Sequence, residues 1–145
     1  MKSKIDKEVT VVVILYKTPN KRIYNLKQYK DFKLIILDQG SLHNSKKKIR
    51  NILGFKFTYY HSKKNLGLSK GMNFLIKKTK TKYCMITEPD ILISKESILN
   101  LKKNIQSNKN FLITSPCFNK NKKLKKFKIL EKIDLSCVLF EKKKM

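Results

Sequence analysis

A chain of 145 residues with 41% hydrophobic content holds the core of one domain and not two. Its formal net charge is +25, and all 35 basic residues except Arg22 and Arg50 are lysine. That balance attracts a phosphorylated substrate, an anionic membrane or nucleic acid, although codon bias toward Lys, Asn and Ile produces it without any polyanion site. Scarce arginine disfavours sequence-specific nucleic-acid recognition, which leans on bidentate guanidinium contacts. The lysines are scattered and the aromatics mostly occupy strand or helix-core positions, so nucleic acid is unlikely as a partner. No apolar run approaches the ~18 residues of a membrane-spanning helix. Cys84, Cys117 and Cys137 are widely spaced without a CxxC pair, which predicts reduced thiols, a cytoplasmic setting and no zinc site.

In chain order, residues 1–8 read as a polar tail. Residues 9–16, VTVVVILY, are β-branched and almost continuously apolar, the pattern of a strand covered on both faces in a parallel sheet. Thr18, Pro19 and Asn20 break it, and a helix over about 21–29 turns Ile23, Leu26 and Tyr29 inward. A second buried strand over 32–37 ends in the turn 38–41. Asn44 caps a basic helix to about Leu53, stopped by Gly54. A third strand covers 55–60, a loop 61–67, and a helix 68–78 faces Leu68, Met72, Leu75 and Ile76 inward. Residues 83–86 form a fourth strand running into the acidic turn Glu88-Pro89-Asp90. Ser94 caps a helix over 95–107 with Ile98, Leu101 and Ile105 at helical spacing. A fifth strand covers 111–114, a lysine-rich connection 119–128, and a last strand 135–140.

Alternating strands and helices predict an α/β sheet with its ligand crevice at the carboxyl ends of the strands. The polar turns at Lys17-Thr18, 38–41 and 88–90 all fall there. Pro89 stiffens the acidic turn, and carboxylate oxygens on a stiff turn suit a hard divalent cation, or else form an ordinary surface turn. Asp38 either accepts from a base or sugar or organises its own turn through the Gly40 or Ser41 amide. Gly67 allows an unusual backbone angle or a close ligand approach, and Gly71 tight helix packing or approach to a phosphate. Free N–H groups at that helix start, with Lys70 nearby, suit a diphosphate, though a plain loop-to-helix junction has the same lettering. His43 and His61 read as solvated loop residues.

The segments VTVVVILYKTPN, KLIILDQGS, KNLGLSKGMN and YCMITEPDILIS, in that order, resemble the inverting, GT-A-type glycosyltransferases of family two, the rhamnosyltransferase-like group in particular. The D-x-G/x-S segment is matched at 38–41, the N-x-G-x-x-x-G-x-N box at Asn65, Gly67, Gly71 and Asn73, and the metal-binding x-x-P-D variant at 88–90. The first box is matched loosely at Leu15-Tyr16-Lys17. The resemblance covers about 9–118, the nucleotide-sugar-binding domain, with 119–145 a connection and last strand. It implies a GT-A-like, Rossmann-like and mostly parallel sheet flanked by helices, C-terminally truncated. It further implies that Leu15, Tyr16 and Lys17 lie near the nucleotide base and that Asp38 contacts base or ribose. Asn65, Gly67, Lys70, Gly71 and Glu88 would surround the nucleotide sugar, and Asp90 would hold Mg²⁺ or Mn²⁺ against the diphosphate.

The implied donor is UDP- or dTDP-linked, and the acceptor a glycan or lipid-linked glycan of cell-surface polysaccharide biosynthesis. The cysteine pattern predicts a cytoplasmic location, and the lysine excess allows peripheral contact at the inner membrane face. The family's acidic acceptor-side motif is not matched: Glu131, Asp134 and Glu141 stand outside any such pattern, so no general base is assigned. A non-catalytic module retaining the nucleotide pocket is the alternative reading, and a basic nucleic-acid-binding protein the third.

Overall fold

The strands β2 (Phe32–Gln39) and β4 (Tyr83–Thr87) are almost wholly buried, and β1 (Asp6–Leu15) is buried over nearly all of its apolar run from Val9, as continuous apolar runs require. They belong to one six-stranded sheet in the order β3-β2-β1-β4-β6-β5, where β3 is Thr58–Ser62, β5 Ile113–Thr114 and β6 Cys137–Glu141. The computed structural model describes residues 6–40, 45–108, 112–116 and 136–144. Ser41, His43, Asn44, Cys117, Glu131, Asp134 and the connection 119–128 lie outside them. β1 pairs in parallel with β2 and β4, and β2 with β3, while β6 runs antiparallel to β4 and β5.

Helices sit on both faces. On one, α1 (Asn20–Asn25) with the 3₁₀ turn Leu26–Tyr29, α2 (Ser45–Leu53) and α4 (Lys95–Ser107) bury Ile23, Leu26, Tyr29, Ile49, Leu53, Ile98, Leu101 and Ile105 against the sheet. On the other, α3 (Gly67–Lys78) packs Met72 and Leu75 over Val12, Ile35, Leu37, Cys84 and Ile86. Ser94 caps α4 as expected, its Oγ accepting from the Ser97 amide at 3.1 Å. Cys84 and Cys137 are buried thiols, and burial pushes the Cys84 thiol up to about 11, making it an inert core residue.

Four expectations need correction. β1 starts at Asp6, inside the supposed polar tail, where its amide donates to the Asp31 carbonyl at 2.8 Å and Lys102 Nζ lies 2.7 Å from Asp6 Oδ2 and 3.2 Å from Glu8 Oε2. The helix expected over 21–29 tightens to 3₁₀ after Asn25 and keeps its three inward residues. β3 starts at Thr58 and carries His61 within it; Phe55 and Phe57 reach the core from the preceding loop. Leu68, expected to face inward on α3, is instead 57% exposed in the first turn of the helix. The last strand enters the sheet between β4 and β5.

Candidate functional site

The strand order reverses direction at β1, which sends one connection toward β2 and receives β4 on its other side. In an open α/β sheet the crevice at such a point, beyond the carboxyl ends of the strands, is where ligands settle. Leu15 pairs with Asp38, Asp38 with His61, and Val13 with Thr87, so the carboxyl ends of β1, β2, β3 and β4 share one rim. Asp38, the bend of residues 65–73 and Asp90 therefore stand along the same edge of the sheet. They do not share one face.

Successive strand residues point to opposite faces, and this separates Asp38 from Gln39. Asp38 turns toward the α1 and α2 side, where its Oδ2 accepts a 2.8 Å hydrogen bond from the Tyr59 hydroxyl. It is only 1% exposed. The expectation of a carboxylate open to base or ribose is thus corrected: it is sealed beside Tyr59, and the Gly40 amide bonds the Ser62 carbonyl instead. Gln39 turns to the α3 side, where its Oε1 accepts from the Leu66 amide at 2.6 Å. Asn65 Oδ1 takes the Gly67 amide at 2.9 Å, so two amides at the entry to α3 are engaged within the chain rather than left for an anion. Gly67 has φ 73°, the left-handed region open to glycine. At Gly71, a Cβ would stand 2.7 Å from Ile14 Cδ1, 3.2 Å from Gln39 Nε2 and 3.3 Å from Leu37 Cδ2. Of its two readings, close packing of α3 is the one realised.

Leu15 is also corrected: its side chain is in the core, 2% exposed, while Tyr16 stands 46% exposed at the rim. Lys17 adopts φ 48°, an unfavourable angle for a residue with a Cβ. That twist turns the chain out of β1 and leaves the Tyr16 ring against Gly40. Lys70 is exposed in the first turn of α3.

Burial, and after it the hydrogen bond to Asp38, push the Tyr59 phenol from an ordinary 10.0 up to about 12. A folded-state pKa above the unfolded value contributes stability that is complete below pH 10.0 and lost as pH rises through about 12. Melting temperatures measured across that interval should fall less steeply in Tyr59→Phe than in the parent chain. Buried Tyr29 adds a background common to both proteins. Parallel profiles would show that the phenol does not sense the carboxylate.

The acidic turn is held from α1 and the 3₁₀ turn that follows it. Asn25 Nδ2 donates to the Pro89 carbonyl at 3.2 Å. Gln28 Nε2 donates to the Ile91 carbonyl at 2.8 Å, and its Oε1 accepts from the Ile93 amide at 2.7 Å. The Glu88 amide donates to the Ser136 carbonyl at 3.2 Å, tying the turn to the start of β6. Below it, Tyr29 and Thr87 share a 3.2 Å hydrogen bond in the core. The Asp90 side chain remains 45% exposed, with Arg22 Nη1 at 3.9 Å from its Oδ2.

Sequence reasoning missed Arg22, Asn25, Gln28, Gln39 and Tyr59. The spacing of three that places residues 22, 25 and 28 on one helical edge was the available signal. Between the start of α1 and α2 lies a depression of about 440 Å³ lined by Asn20, Lys47, Lys48, Asn51 and Ile52, which adds positive charge to that side.

Mg²⁺ and Mn²⁺ use one or two carboxylates together with substrate phosphates and retained waters. An exposed Asp90 with Glu88 two residues before it fits a site shared with a diphosphate. Among the described residues no group of three or more His, Cys, Asp or Glu could form a complete protein cage. No described helix is long and apolar enough to cross a membrane.

A rim of this kind on a mostly parallel sheet, with an acidic turn after the switch-point strand, defines a GT-A-like, Rossmann-like architecture. The family model for glycosyl transferase family 2 matches residues 20–142, and the chain belongs to that family. No curated protein matches it in sequence. In fold it is similar to the mannosyltransferase PcManGT from Pyrobaculum calidifontis, solved with GDP-Man and Mn²⁺, at TM-score 0.62 and 17% identity over 74% of this chain. It is also similar to S. aureus TarS, at TM-score 0.50 and 20% identity over 69% of this chain. A CMP:2-keto-3-deoxy-manno-octonic acid synthetase complexed with CTP matches 74% of the chain at TM-score 0.54 and 7% identity. The chain spans 34%, 20% and 51% of those three proteins.

Proposed function

We propose that this chain is the donor-binding portion of a glycosyltransferase that transfers a sugar from a nucleoside-diphosphate sugar to an acceptor hydroxyl. The observation that carries the reading is the Asp90 turn, braced from α1 and open to solvent, at the carboxyl rim beside the switch point. Asp90, with Glu88 in support, would hold Mg²⁺ or Mn²⁺, which neutralises charge developing on the departing diphosphate. Tyr16 offers a ring face to the base, and Lys70 a cation to the phosphates. Asp38 acts from behind: through Tyr59 it stiffens the end of β2 against which the base would lie.

A second reading, donor binding without transfer by these residues alone, is favoured by the position of Glu141. It pairs with Lys82 at 3.8 Å and lies opposite Tyr83 at the amino end of β4, the wrong rim for a base acting on an acceptor. Equilibrium dialysis with UDP, dTDP and GDP in Mn²⁺, followed by assay for donor hydrolysis and transfer to lipid-linked glycan, tests both readings. Metal-dependent retention of a nucleoside diphosphate is the expected result. No retention of any of the three would remove the donor reading, and retention with hydrolysis but no transfer would select the second.

A further inference from the structure

Arg22 and Asn25 on α1 and Gln28 on the 3₁₀ turn that continues it follow one another at intervals of three, and all three face the segment 88–93. Their contacts differ in kind. Asn25 and Gln28 bond the backbone at 2.7–3.2 Å and set its path. Arg22 approaches only the Asp90 side chain, at 3.9 Å, beyond hydrogen-bonding range, and both partners are about half exposed, 55% and 45%. Such a pair contributes little to stability and exchanges readily. The turn is held without it.

We propose that Arg22 is the resident counter-cation of Asp90, that a divalent cation displaces it, and that the released guanidinium binds the donor diphosphate. The proposal rests on the donor-binding reading above. A guanidinium keeps its charge at every relevant pH and matches phosphate oxygens bidentately, so the group that occupies the carboxylate in the empty cleft suits the ligand that enters it. A cation on Asp90 and a guanidinium 3.9 Å from the same oxygen repel one another. Arg22 therefore weakens metal binding while the nucleotide is absent and strengthens nucleotide binding once the metal is present. In effect, it couples the two ligands.

The test measures free Mn²⁺ by electron paramagnetic resonance in titrations of the parent chain, Arg22→Gln, Arg22→Lys and Asp90→Asn, each without and with UDP or GDP. Without nucleotide, Arg22→Gln should bind Mn²⁺ roughly five- to tenfold tighter and Arg22→Lys like the parent, since the lysine keeps the charge. In saturating Mn²⁺, Arg22→Gln should bind the nucleoside diphosphate about tenfold more weakly, with Arg22→Lys between the two. Melting temperatures should not separate the Arg22 variants from the parent, which a bracing role for Arg22 would require. Unchanged Mn²⁺ affinity in Arg22→Gln, or unchanged nucleotide affinity, overturns the exchange while leaving the metal site intact. If Asp90→Asn binds Mn²⁺ as the parent does, the metal lies on other residues and the exchange falls alone; if no protein binds Mn²⁺ or nucleotide, the donor-binding reading falls and the exchange with it.

Discussion

Asp90→Ala should abolish the metal-dependent part of nucleotide stabilisation. A ligand at a hundred times its dissociation constant adds about 2.7 kcal/mol to stability, which in a chain of this size raises the melting temperature by roughly 5–10 °C. In scanning calorimetry the parent should show that rise with UDP or GDP plus Mn²⁺ and little of it in EDTA; Asp90→Ala should show the EDTA behaviour in both. Without ligand the variant should melt with the parent, because the carboxylate is half exposed and its ionic partner among the described residues is Arg22 at 3.9 Å. The turn itself is held by Asn25, Gln28 and the Ser136 carbonyl, none of which the substitution touches. A shift that persists in Asp90→Ala would move the metal, or the nucleotide, to other residues.

Leu75→Ala should be the most damaging change outside the rim. Leu75 is 0% exposed in the middle of α3, the one helix that the described residues place on its face of the sheet, against Val12, Ile35, Leu37 and Cys84. Truncation removes transfer free energy and leaves a cavity that a rigid sheet cannot fill, costing about 2–5 kcal/mol. The melting temperature should fall by on the order of 10 °C. α3 also carries the glycine box, so in chemical denaturation the variant should lose nucleotide affinity only to the extent that it is unfolded. A drop below about 1 kcal/mol would mean that this face has packing not accounted for by α3.

The strands that build the rim were readable because burial on two faces leaves few polar positions in them, and 9–16, 32–37 and 83–86 show that with Thr10 and the exposed Lys33 as the exceptions. The cap at Ser94, the inward stripe of α4 and that of α3 from Met72 onward were equally local, whereas Leu68 in the first turn of α3 is exposed. The order of the four boxes was enough to predict the GT-A-like sheet and the family. What failed was anything set by a neighbour distant in sequence. Leu15 was grouped with Tyr16 although strand alternation alone puts the two on opposite sides. Asp6 and Glu8 read as tail because the lysine that neutralises them lies on α4. Gly71 could serve a ligand or a tight crossing, and only the position of Ile14 chose between them.

By itself, the amino-acid sequence determined which segments are strands and helices, and that three polar turns would gather at one edge, since those follow from periodicity and connection order. The tertiary structure alone decided that β6 enters the sheet antiparallel beside β4, that Asp38 is closed off by Tyr59 while Gln39 serves α3, and that α1 and the 3₁₀ turn after it brace the Asp90 turn. The physical reason is that a side chain's hydrogen-bond partner depends on which elements pack together. Burial that discriminates among those packings is a property of the assembled sheet, not of any stretch of chain.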